Sequence, residues 1–112
     1  MLVYCNRDNL ANLATFSVID IGSTRELQLK LFKFGNLVFC SGSFIVKENY
    51  IYSDTIPNGF RPISEASLTG QELGETTVIS TGTLFILKDG TLKTKSPYKN
   101  KLCFGSCIWR TA

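Results

Sequence analysis

Four thiols, two neighbouring carboxylates and a few tyrosine, tryptophan and arginine side chains are the groups from which this 112-residue sequence would have to build any chemistry. Histidine is absent, so no Ser-His or Cys-His pair exists to activate a nucleophile. Cys5, Cys40, Cys103 and Cys107 include no Cys-x-x-Cys spacing, whereas structural zinc is held by clustered thiolate and imidazole ligands at paired short spacings. Glu72 and Glu75 fall in the acidic stretch from Gly70 to Thr76, which reads as a solvated loop tip rather than as the opposed carboxylates of a glycosidase. No glycine motif that would cradle phosphate is present. The sequence therefore predicts no catalytic residue, no metal, no cofactor and no enzyme, and points instead to binding.

Tyr50, Tyr52, Tyr98 and Trp109 offer flat faces that stack on the C–H surface of a sugar ring while their polar edges stay wet. Arg61 brings a planar guanidinium that donates to backbone carbonyls, to a carboxylate or to a ligand. These five are the candidate carbohydrate- or receptor-binding residues. Aromatics at alternating strand positions serve equally as core or as subunit interface, Trp109 above all. The net charge of +3 is concentrated after residue 87, where Lys88, Lys93, Lys95, Lys99, Lys101 and Arg110 face Asp89 alone. Lysine near alternating strand positions is ordinary solvent-facing filler that also guards sheet edges, so a nucleic-acid partner is not expected.

The elements that must position these residues are strands. Apolar runs such as Leu37 to Cys40 are far shorter than the roughly 20 residues that span a bilayer, and no membrane insertion is expected. Met1 to Leu13 mixes Arg7 and Asp8 with asparagines and lacks the apolar stretch of an export signal. With 44% hydrophobic and 19% charged residues, the chain can close one core. No stretch sustains the period of an amphipathic helix, while period-two alternation recurs throughout.

Residues 15–21 are rich in β-branched side chains and end at Gly22-Ser23. Leu27, Leu29 and Leu31 alternate with Gln28 and Lys30, and Phe32 and Phe34 carry apolar character to the opposite face. Gly35-Asn36 then suits a two-residue hairpin turn that pairs 27–34 with 37–47. Gly42 marks a bulge or a close backbone approach. Strands follow from Tyr50 to Ile56 and from Ser64 to Thr69. Thr77–Ser80 and Thr83–Leu87 are split by Gly82, the Asp89-Gly90 signal joins 83–87 to 91–95, and Leu102 to Trp109 closes the chain. About eight short strands predict an all-β fold, an antiparallel β-sandwich of jelly-roll type, spanning 15–112 behind an N-terminal segment, 1–14, that is the end of a stalk or linker.

The order of these pieces resembles the C-terminal distal domain of bacteriophage tail-fibre and baseplate proteins. Four stretches carry the resemblance over roughly residues 16–110: LFKFGNLVFCSGSF, TIPNGFRP, TLFILKDGTLKTK and LCFGSCIWRTA. The string Ile56-Pro57-Asn58-Gly59-Phe60-Arg61-Pro62 is its most specific part. The resemblance implies a virion protein at the tip of a fibre or baseplate, made in the host cytoplasm and assembled as a homotrimer with other tail or baseplate proteins. Its implied function is attachment to host cell-surface saccharide. A purely structural trimerisation cap, or a free-standing lectin or C1q-like module, would share the architecture, since fold does not fix function.

Cys103 and Cys107 are four apart, which on a strand places them on one face roughly 13 Å apart, beyond disulfide reach. Without an export signal the thiols are expected to stay reduced. Alkylation of the denatured protein should then add four labels by mass, and two or none would overturn this.

Overall fold

A computed structural model describes residues 16–73, 78–95 and 101–111. The strands are β1 (Phe16–Thr24), β2 (Leu27–Phe34), β3 (Leu37–Val46), β4 (Tyr50–Thr55), β5 (Ala66–Leu73), β6 (Val78–Ile86), β7 (Thr91–Thr94) and β8 (Lys101–Arg110). Residues 1–14, including Cys5, lie outside the described residues, as do Glu75, Tyr98 and Lys99.

Local sequence explains the hairpins. Gly35 adopts φ 60° and lets the chain reverse in two residues, so that Phe34 pairs with Leu37 and the register runs unbroken to Leu27 opposite Phe44. Gly90, at φ 90°, closes the β6–β7 turn, where the Thr91 amide donates to the Asp89 carboxylate at 2.9 Å. Gly22, at φ 75°, sits in the register shift between Ile21 and Thr24. Gly82 does not split its strand, because β6 runs continuously from Val78 to Ile86 with Gly82 paired to Gly70.

The sandwich and jelly roll expected from the strand count are not what forms. All eight strands join one antiparallel sheet in the order β1-β2-β3-β8-β5-β6-β7-β4, coiled into a nearly closed barrel. The last strand enters the middle of the ladder, pairing with β3 over its whole length and meeting β5 at Gln71 opposite Phe104. Alternation of apolar and polar residues demands one buried face and is satisfied equally by two stacked sheets or one coiled sheet. What selects the coil is a seam of glycines. A Cβ on Gly105 would lie 2.6 Å from the Thr69 carbonyl oxygen and 3.0 Å from Gly70 Cα, so backbone rests on backbone where β8 meets β5.

Inward side chains fill the barrel: Leu27, Leu29 and Leu31 from β2, Val38, Cys40, Phe44 and Val46 from β3, Leu68, Leu84, Ile86 and Leu92 from β5 to β7, and Cys103 and Trp109 from β8. Phe44 occupies the space a side chain at Gly70 would need, its Cε1 only 2.9 Å from that position, and Val46 does the same at Gly82.

Gly105→Ala tests the seam. Because the obstacle is backbone rather than a movable side-chain tip, the substitution should destabilise the fold by about 1–3 kcal/mol, the usual cost of forced overpacking, measured by denaturant unfolding. An unchanged midpoint would show that the crossing is looser than drawn.

Candidate functional site

The described aromatics and the arginine singled out in the sequence are largely engaged in holding the barrel together. Tyr50 and Tyr52 share the inner face of β4 while Ile51 points outward. Tyr52 is 5% exposed, and its hydroxyl donates to the Ile45 carbonyl. Tyr50 meets it edge-on with ring centroids 4.9 Å apart, and the Lys47 ammonium caps the Tyr50 ring at 4.2 Å. Trp109 is 6% exposed and donates its indole N–H to the Phe60 carbonyl at 2.7 Å. Burial removes the faces of Tyr52 and Trp109 from a ligand arriving from solvent. Tyr98 lies outside the described residues.

Arg61 belongs to the loop between β4 and β5. Its Nε donates to the Ile56 carbonyl at 2.8 Å, and the Phe60 amide donates to the Pro57 carbonyl at 3.1 Å across a turn in which Gly59 has φ 95°. Lys33 donates to the Gly59 carbonyl at 2.5 Å and stands 5.5 Å from the Phe60 ring centroid. Phe60 packs on the barrel end. Lys33, Arg61 and Lys88 line a small cleft here. Lys33 and Arg61 each give one donor to a loop carbonyl and keep their charge and further N–H donors. Asp89 beside it is held ionised below the usual carboxylate range, chiefly by hydrogen bonds from Thr91 and further by the Arg61 charge.

A different site opens on the outer face of β2, β3 and β8. The register places Ser41 opposite Ser106, Gly42 opposite Gly105, and Ser43 opposite Phe104, with Gln28 beside Ser43 on β2. Because the strands alternate, the glycines turn to the crowded interior and the small serines turn out, leaving a shallow dish of about 490 Å³ lined by Gln28, Ser41, Ser43, Phe104 and Ser106. A second depression shares Gln28 and Ser41 and extends past Lys30 to Asp20, whose exposed ion pair spans 3.8 Å. Phe104 is 50% exposed. The dish thus joins hydroxyls and an amide, each able to donate and accept, to one solvent-facing aromatic ring.

Phe104, Gln28 and the serines are not among the tyrosines, tryptophan and arginine that the sequence offers as candidates. The available signal was a pair of small-residue triplets, Ser41-Gly42-Ser43 and Phe104-Gly105-Ser106, but nothing local says that two stretches so far apart in sequence lie side by side.

Behind the dish, Cys40 and Cys107 face each other across β3 and β8. Both are free thiols, as is Cys103. The hydrogen bond between Cys40 and Cys107 raises Cys40, which burial raises further, and lowers Cys107. Among the described residues, no group of three or more His, Cys, Asp or Glu is placed to hold a metal ion. Comparison with family models and with curated proteins finds no match to this chain.

Burial, reinforced by the nearby Glu26 carboxylate, pushes the Tyr52 hydroxyl well above the ordinary tyrosine range. The folded state therefore holds this proton more tightly than the unfolded chain does. The resulting stabilisation is complete below the unfolded value of about 10 and is lost as pH rises beyond it. The melting temperature should fall above about pH 10, and less steeply in Tyr52→Phe; equal slopes would place the alkaline transition elsewhere.

Proposed function

We propose that this chain is a non-catalytic attachment head that binds saccharide in the dish on the outer face of β2, β3 and β8. The observation that carries the reading is the juxtaposition of Phe104 with Gln28, Ser41, Ser43 and Ser106 on one open surface. A sugar ring presents hydroxyls that need partners of both hydrogen-bonding senses and a C–H face that needs an apolar plane. The dish supplies both without a net charge of its own. Its shallow, open form suits a chain of sugars that continues past the site.

The biological setting rests on the resemblance carried by the Ile56–Pro62 string and the two hairpins: a distal domain of a phage tail fibre or baseplate, on the virion, adhering to host cell-wall saccharide. In that setting the loop from Pro57 to Pro62 is structural and the ligand surface lies on the sheet.

Purified cell-wall polysaccharides from a panel of bacteria, printed beside a general glycan array, test the proposal. Wild-type protein should be retained on a subset of them. Phe104→Ala and Gln28→Ala should each reduce that retention by about tenfold or more with little change in melting temperature, because both side chains project into solvent. Retention that survives both substitutions, or no retention on any saccharide, would refute the assignment.

A further inference from the structure

We infer that the other end of the same outer surface is a two-fold docking face for a second copy of this chain. Pairing sets Phe16, Phe34 and Leu37 abreast on β1, β2 and β3, and Val18, Phe32, Phe39 and Ile108 abreast on β1, β2, β3 and β8. Phe32 touches both neighbours, with centroids 6.4 Å from Phe16 and 6.1 Å from Phe39. Phe16, Val18, Phe34, Leu37, Phe39 and Ile108 are each 43–62% exposed.

This is a contiguous apolar plate, not scattered exposure. Beyond β8, the neighbouring strand β5 shows Ser67, Thr69 and Gln71 to solvent along its outer face. The next row along the plate is polar, Asp20, Lys30, Ser41 and Ser106, and its two serines form the near rim of the dish.

The size and border of the plate suit a second copy of the chain. At about 150–200 Å² per large apolar residue, these exposures amount to roughly 500 Å² of apolar surface. That is at the upper end of the 300–600 Å² or so of the largest patch on an ordinary monomer. With its polar rim it approaches the roughly 800 Å² that each partner contributes to a standard interface, in the usual arrangement of apolar centre and polar border.

The symmetry follows from there being one such plate among the described residues. A two-fold contact uses the same patch on both subunits, whereas a ring of three needs two different complementary patches on each. The other large apolar residues exposed among the described ones, Ile51, Ile63 and Phe104, form no second plate. Sheet faces pack on one another readily, about 10 Å apart. The geometry therefore favours a dimer over the homotrimer that the resemblance implies. It stands independently of the saccharide reading.

Sedimentation equilibrium of the full chain over a wide concentration range tests this. The wild type should approach twice the 12.4 kDa chain mass. Phe39→Lys should weaken association by about tenfold or more while keeping the circular dichroism spectrum. Ile108→Ser, a milder change at an exposed site, serves the same purpose if the lysine variant does not fold. Ile51→Lys, on the outer face of β4, should leave the dimer intact. A wild type that is monomeric or trimeric, folded Phe39 and Ile108 variants that still dimerise, or equal dissociation by Ile51→Lys would each overturn the inference. So would a monomer that binds phosphatidylcholine vesicles through this face.

Discussion

The structure depends on a contact made possible by missing side chains. Where β8 meets β5, Gly105 lies against the backbone of Thr69 and Gly70, closer than any larger residue permits. Gly70 and Gly82 stand opposite each other in the register, and the space they vacate is taken by Phe44 and Val46 from β3. Core packing at native density leaves no slack for a methyl group at such a place. The seam lets β8 and β5 approach closely enough to join the eight short strands in one coiled sheet instead of two stacked ones.

The same alternation makes the dish. On β3 and β8 the glycines face inward and their serine neighbours outward, so the tight interior and the shallow exterior are two sides of one stretch of backbone. A one-residue slip of β8 against β3 would turn Cys107 and Trp109 out to solvent and Ser106 and Ile108 into the core. The burial of Trp109 and its hydrogen bond to Phe60 therefore hold the register that the outer surface needs. Lys33, Arg61 and Trp109 together tether the Ile56–Pro62 loop. These three side chains fix the barrel end.

The outer face of β1, β2, β3 and β8 is thus divided. One end is apolar and ring-rich, the other polar with a single aromatic, and the two meet at the row of Asp20, Lys30, Ser41 and Ser106, whose serines belong to the dish. If each end acts as proposed, joining two copies through the apolar plate gives the assembly two saccharide sites, and paired weak sites on a repetitive polysaccharide gain avidity without any new contact.

Much of the fold was legible in the sequence because it is local. The alternation of Leu27, Leu29 and Leu31, the Gly35-Asn36 and Asp89-Gly90 turns and the outward swing of Phe32 and Phe34 are properties of a few adjacent residues, and they determined the β2–β3 and β6–β7 hairpins and which of their side chains share a face. The stretch from Gly70, read as a loop tip, instead continues β5 to Leu73, because its glycine and polar residues are held by pairing with β6. Tyr50, Tyr52 and Trp109 show the limit. Alternation placed the tyrosines on one face together but left open whether that face was wet, and the amphipathic ring that suits a sugar suits a buried hydrogen bond equally well. Only tertiary structure decided that β8 would lie between β3 and β5, that the two glycine-centred triplets would meet, and that Cys40 would face Cys107. Those outcomes depend on pairing between residues far apart in the chain, where many registers satisfy the same period of two and the close fits at Gly70, Gly82 and Gly105, with the buried Trp109, select one.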